Sequence, residues 1–367
     1  MNPVEFLFFA EDPGAANYLD GIIALMIEKK KSIAVIAVGK AREQFRNRFE
    51  MEPEPQLDES AASLLDKYQP RIVIVGTAVN LDTLSLKLVT ESRQRGIATF
   101  GAVDGPGNEG WRFRGHGDDP LAYVPDKIVV PDDATRQAFI GLGVNPSIVF
   151  ACGSPHFDTV HNMREMYSKL DRAALRSELL PDAPFDQRVV ICAPDPIGGV
   201  NPKCQVRSED YTLHGWGDSD NRSDIFLQEF LDGLDADEGP RPYLILRLHP
   251  RSQREDYKVD FNAFDEISQG GEVHSLLYCA DLVVALTSIL VVEATLLGTP
   301  SLSIIPRAKE AAWLSTINLN LTAVATSRDE IHDILPKALK IPRLSIEKVR
   351  AAFPVDCARR VLDIIYQ

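Results

Sequence analysis

Short apolar runs alternate with longer segments of helical periodicity along the chain. "VEFLFFA" (4–10), "IAVIAVG" (33–39), "RIVIVGTA" (71–78), "IATFGAV" (97–103), "DKIVVPD" (126–132) and "SIVFACGSP" (147–155) read as strands. Between them, "ANYLDGIIALMIEKK", "ASLLDKYQ", "LDTLSLKLVTESRQRG" and "DATRQAFIGLG" read as helices. The strands are nearly continuous apolar runs, so both of their faces must be covered. That predicts a parallel sheet with helical crossovers.

The alternation stops over 156–187, where a polar helical stretch ends in "PDAPFDQ". It restarts with "RVVICAP" (188–194), "DIFLQEFLDGL", "YLILRLHP" (243–250), "SLLYCADLVVAL" (275–286), "VVEATLLG" and "SLSIIP" (301–306). The predicted class is α/β, with two Rossmann-like domains facing a cleft. An N-terminal domain (1–157) and a linker helix region (158–187) precede a C-terminal nucleotide-binding domain (188–345). An amphipathic C-terminal helix (346–367) can pack back on the N-terminal domain. At 367 residues the chain exceeds what one core usually supports.

The formal charge of −14 weighs against non-specific nucleic-acid binding, which needs a basic face, and leaves room for a small basic phosphate pocket. Five widely spaced cysteines make no metal-ligand or disulfide pattern and point to a cytoplasmic protein. No signal peptide is recognisable, and membrane contact is expected to be peripheral at most.

Ligands of such sheets bind beyond the C-terminal ends of the strands, so the chemistry should lie there. "AEDPGAAN" follows the first strand. Gly14 permits close backbone approach to a ligand, and Asp12 is either a base or a helix cap. "DGPGNEGWRFRGHGDDP" follows the fourth strand. It offers Asp104 as general base, Glu109 as a second carboxylate, and Arg112 and Arg114 for an anion; a merely solvated loop is the alternative. In the polar loop 197–222, His214 is a candidate donor and Trp216 a stacking platform, or the loop is a bland lid. Arg247 and His249 end "YLILRLHP", where they can clamp a phosphate or cover the sheet edge.

"LVVALTSILVVEATLLGTP" (282–300) holds a single charged residue, Glu293. A charge in so apolar a run needs a partner. Thr287 or Ser288 caps the next helix, whose N-terminus favours an anion. Glu293 lies about one turn further on, placed for a ribose diol or for a buried ion pair with a residue such as Arg247.

The segment "ADLVVALTSILVVEATLLGTP" resembles the nucleotide-binding strand–turn–helix of GT-B-type glycosyltransferases and hydrolysing UDP-N-acetylglucosamine 2-epimerases. "E-A-x-x-x-G-x-P" matches at Glu293, Ala294, Gly298 and Pro300. "G-S-P-x-x-D" (153–158) resembles their domain crossing. "LHPR" resembles a motif of CDP-glycerol glycerophosphotransferases and some sialyltransferases. Two epimerase features are absent: "G-T-R-P-E" after the first strand and the "Ser-Gly-Gly" turn.

The resemblance implies a metal-independent glycosyltransferase acting on a nucleotide-sugar and a hydroxyl acceptor in surface polysaccharide synthesis. Asp104, Asp12 and His249 would be catalytic. Arg247, Thr287, Ser288, Glu293 and Gly14 would bind nucleotide, and Glu109, Arg112, Arg114, His214 and Trp216 the acceptor. The alternatives are a UDP-sugar 2-epimerase, a CDP-polyol phosphotransferase and a non-catalytic binding protein. No cofactor or metal is implied, because the nucleotide-sugar is a substrate; members of this fold commonly pair as homodimers.

Overall fold

Strand β1 (Phe6–Ala10) is buried along its whole length. Phe6, Phe8 and Ala10 face one apolar cluster, Leu7 and Phe9 another. This is the two-sided burial that its unbroken apolar run demands. A computed structural model describes residues 3–56, 59–78, 80–196 and 205–367.

The chain divides into two compact units, 1–159 with 354–367, and 160–353. The first holds β1, β2 (Ile33–Ala37), β3 (Ile72–Gly76), β4 (Ala98–Ala102), β5 (Lys127–Val130) and β6 (Val149–Ala151), in the order β2-β1-β3-β4-β5-β6. The second holds β7 (Val189–Ala193), β8 (Tyr243–Leu248), β9 (Glu266–Gln269), β10 (Leu282–Ala285), β11 (Ser301–Ile304) and β12 (Ala323–Ala325), in the order β12-β11-β10-β7-β8-β9. All the strand pairs of both sheets are parallel. These are two Rossmann-like sheets, as the apolar pattern predicts. The polar edge strand β9 and the three-residue β12 carry too little pattern to read from sequence.

Both sheets reverse direction of growth next to their first strand. In the first unit the reversal lies between β1 and β3, in the second between β7 and β10. The loops leaving those strands diverge there, which opens a crevice at the strands' C-terminal ends.

Two expected boundaries differ in the structure. The linker helix region 158–187 is helical and is anchored at its end. Helix Pro155–Tyr167 is followed by helix Arg172–Leu179, which is fastened to the second unit. Arg172 donates to the carbonyls of Tyr278, Cys279 and Ala280, and both Arg172 and Arg176 pair with Asp281. The C-terminal helix is two helices, Ile346–Ala352 in the second unit and Cys357–Tyr366 in the first. Pro354 and a left-handed Asp356 (φ 59°) separate them, since neither continues a helix.

The last helix buries Val361, Leu362 and Ile365 in the cluster of β1. Its N-terminus is capped from a distance, because Asp158 accepts from the amides of Cys357 (2.7 Å) and Ala358 (3.3 Å). The "G-S-P-x-x-D" motif thereby gains a physical role. Gly153 is left-handed (φ 84°), and a Cβ there would stand 2.4 Å from the Cys357 sulfur. Asp158→Ala should cost about 1–2 kcal/mol, the usual worth of a lost cap. Thermal unfolding, with proteolysis read at the C-terminus, checks this; an unchanged midpoint and uncut tail would sink the cap assignment.

Cys152, Cys192, Cys279 and Cys357 are buried and free. Among the described residues, no helix is long and apolar enough to cross a membrane.

Candidate functional site

The crevice of the second unit is built from the loops after β7, β10 and β11. Beyond β10, Ser288 is the helix cap: its hydroxyl accepts from the Leu290 amide (3.3 Å) at the start of helix Ile289–Leu296. The helix ends at a left-handed Gly298 (φ 84°), where a Cβ would meet the Arg164 guanidinium at 2.6 Å. Arg164 donates to the Leu296 carbonyl and Arg343 to that of Leu297 (2.8 Å). Arginines thus cover the negative end of this helix, and its positive end opens at the crevice.

Thr287 does not cap the helix. Its hydroxyl accepts from Arg222 (3.0 Å) and also bonds to Asp195, the residue two beyond β7. Burial raises the Asp195 carboxyl, against the opposing pull of Arg222 and Thr287. Arg222 in turn faces Glu310 at 2.7 Å, and Glu310 faces Arg307 at 3.1 Å. Sequence reading missed Asp195, Arg222, Arg307 and Glu310. The one available signal was their position just after apolar runs, in "APDP" and "IIPRAKE", or at the start of "RSDIFLQEF".

Glu293 is 3 % exposed, and its partner on the second unit is a histidine, not Arg247. His274 Nε2 lies 3.7 Å from Glu293, and His274 Nδ1 lies 2.8 Å from Glu272. Glu272 also caps helix His274–Cys279, accepting from the amides of His274 (2.5 Å) and Ser275 (3.0 Å). Burial opposes charge on His274, but its bonds to Glu272 and Glu293 prevail and raise the imidazole to about 9. Glu272, despite its own burial, is drawn down to about 2 by His274 and Ser275.

A raised histidine makes stability depend on pH in a defined direction. The contribution is complete below the unfolded value of 6.5 and is lost as pH rises through about 9. That difference is worth about 3 kcal/mol; the lowered Glu272 acts in a separate window, its contribution being lost only as pH falls from 4.5 through about 2. Wild type should therefore lose stability between pH 6.5 and 9 relative to His274→Gln. Denaturant unfolding of both proteins across that range tests it, and parallel curves would remove the ion pair from the account.

Arg247 lies on β8 and donates to Ser268 Oγ on β9 (2.7 Å). His249 is pushed down to about 4 by burial and by the neighbouring Arg251. Its Nδ1 accepts from the Arg251 amide (3.1 Å), which leaves the ring proton on Nε2. His249 is thus a neutral donor, not a cation. His214 and Trp216 stand elsewhere. The amide of His214 reaches Glu229, the Trp216 indole reaches Asp232 (2.9 Å), and both carboxylates lie well down helix Arg222–Asp235 from its start. Thr212 of the same loop donates its amide to the Pro306 carbonyl just beyond β11 (2.8 Å), so the loop does cross a strand end, but the bonds of His214 and Trp216 turn to helix Arg222–Asp235. Residues 197–204 of the same loop lie outside the described residues.

In the first unit, the reversal between β1 and β3 gathers Gly14, Thr77 and Asp104. Asp104 Oδ1 accepts from Arg112 (3.0 Å) and Thr77 (3.2 Å). Its Oδ2 sits where a Cβ on Gly14 would be, 1.8 Å away. Gly14 is therefore required by a carboxylate, and no ligand need be invoked for it. Asp12 holds the N-cap position of helix Pro13–Glu28 without a side-chain capping bond. Asn80 spans the crevice to Glu11 (2.9 Å). Glu109 accepts from the Gly107 amide (2.7 Å). Arg114 is spent inside its own loop, on Gly117, Asp118 and the Trp111 ring, and is not part of this cluster.

No protein-family model and no curated protein sequence matches the chain. Solved structures match its fold from end to end. UDP-GlcNAc 2-epimerase from Neisseria meningitidis, bound to UDP-GlcNAc, is 12% identical with a TM-score of 0.66, covering 98% of this chain and 99% of that one. The Rickettsia bellii UDP-N-acetylglucosamine 2-epimerase is 15% identical with a TM-score of 0.65, covering 100% and 96%. The Methanocaldococcus jannaschii enzyme is 13% identical with a TM-score of 0.63, covering 99% of each. The fold is that of GT-B-type proteins, as the motifs at 281–300 imply. The expectation of a glycosyltransferase is corrected: these neighbours are nucleotide-sugar epimerases, and none of them is a transferase.

Proposed function

We propose that the chain binds a UDP-linked N-acetylhexosamine and acts on it as a 2-epimerase of the hydrolysing type. The observation that carries this reading is the end-to-end likeness to UDP-GlcNAc 2-epimerases, one of them holding UDP-GlcNAc. The helix that starts at Ser288 supports it, with its positive end at the crevice and the "E-A-x-x-x-G-x-P" match along its length.

In this reading Thr287 and the N-terminus of helix Ile289–Leu296 take the phosphates. Glu293, steadied by His274, takes the ribose, and His249 donates through Nε2. Inverting C2 requires removing its proton as the C1–O bond to UDP breaks, then adding water across C1 and C2, with the hydroxyl going to C1 and the proton to the other face of C2. Asp104, with Arg112 orienting its carboxylate, is the first unit's candidate base. The reaction needs no resident cofactor.

Thermal shift with UDP, CMP and CDP, followed by incubation with UDP-GlcNAc and mass spectrometry, tests the reading. UDP should stabilise the protein most, and UDP should be released together with a free hexosamine inverted at C2. No stabilisation by UDP would overturn the proposal. A second reading, nucleotide binding without turnover, is favoured by one feature: Asp12-Pro13-Gly14 stands where the epimerase pattern has "R-P-E". Stabilisation by UDP with no product would select it.

A further inference from the structure

Three segments that leave the central strands of the second unit converge on one buried guanidinium. Arg222 opens helix Arg222–Asp235 and is 2 % exposed. It faces Asp195 at 3.4 Å and Glu310 at 2.7 Å, donates to Thr287 Oγ1 at 3.0 Å, and lies 5.8 Å from the Trp313 ring centre. Glu310, fully buried, also faces Arg307. Arg307 in turn pairs with Asp210 and lies over the Tyr211 ring.

Asp195 and Glu310 are enough to compensate the charge on Arg222. The bond to Thr287 adds nothing to that neutralisation, and its effect is on orientation. A hydroxyl has one proton and two lone pairs. With an Arg222 N–H on one lone pair, the Thr287 proton must point away from the guanidinium. Here it meets Asp195, across the reversal between β7 and β10. Thr287 directly precedes Ser288, the cap of the helix whose N-terminus favours an anion.

We propose that Arg222 is a positioning residue for phosphate recognition. It holds the Thr287 hydroxyl as a donor toward a phosphate oxygen at the start of helix Ile289–Leu296, and Asp195 accepts that proton when no phosphate does. The inference rests on the nucleotide reading above.

A double-mutant cycle on the full chain, with UDP affinity measured by calorimetry, tests it. Thr287→Val and Arg222→Lys should each weaken UDP binding about 10-fold, and the double variant by about 10-fold as well, because both remove one donor. Thr287→Ser, which keeps the hydroxyl, should restore binding to within about 2-fold of wild type and restore sensitivity to Arg222→Lys. A residue that only stabilises the fold would leave UDP affinity unchanged in Arg222→Lys, and two independent contacts would give losses that multiply to about 100-fold; either result overturns the positioning role. If Arg222→Lys does not fold, Thr287→Val decides alone: unchanged UDP affinity overturns the proposal. Failure of wild type to bind UDP overturns the nucleotide reading itself, and this inference with it.

Discussion

Replacing Glu310 by alanine is expected to cost about 3–5 kcal/mol of folding stability, the usual range for breaking a buried ion pair from one side. Glu310 is fully buried and stands between Arg222 and Arg307. Burial raises its carboxyl more than the two arginines lower it, so the carboxylate itself is not comfortable there. The predicted loss comes from what the deletion leaves behind: two buried guanidinium groups, one with Asp195 as its remaining acid and the other with Asp210. Urea unfolding of Glu310→Ala against wild type measures the effect. A loss under about 1 kcal/mol would mean that the arginines find water or new partners, and the network would then be incidental.

The second large effect is at Gly14, where alanine should destabilise by about 1–3 kcal/mol, as overpacking does. A methyl group there would lie 1.8 Å from Asp104 Oδ2, so the carboxylate must move. Moving it breaks the bonds to Arg112 and Thr77. The explanation makes a sharper demand on the double variant. In an Asp104→Ala background the clash is gone, and Gly14→Ala should be neutral or stabilising by about 0.5–1 kcal/mol, the ordinary gain of alanine over glycine within a helix. Chemical unfolding of the four proteins tests this. Equal losses in both backgrounds would place the strain elsewhere in the turn.

Much of the architecture is legible in the residues. The unbroken apolar runs place ten of the twelve strands within a few residues of their observed ends. Their lack of alternation forces parallel sheets covered on both faces. Ser288, Gly298 and Pro300 bound the helix that carries Glu293, and local backbone rules suffice to place it. What was legible in the candidate site was of the same kind: Thr287, Ser288 and Glu293 lie in one continuous segment, as do Asp104 and Arg112. His214 and Trp216 lie in a loop that crosses a strand end at Thr212, yet their bonds turn to the following helix, and nothing local to a polar loop sets which way it turns.

By itself, then, the sequence determined the class of fold, the strand–turn–helix at 282–298 and the fact that its lone glutamate needs a partner. Only the tertiary structure decided who that partner is. His274, held by Glu272, meets Glu293 because helix His274–Cys279 packs beside helix Ile289–Leu296. Asp195, Arg222, Thr287 and Glu310 meet because β7, β10 and β11 are neighbours in the sheet. Asp158 caps a helix almost 200 residues later in the chain. Periodicity and capping act over a few residues, where the backbone geometry is local. Pairing of buried charges acts between residues distant in the chain, and the order of the strands sets which of them come together.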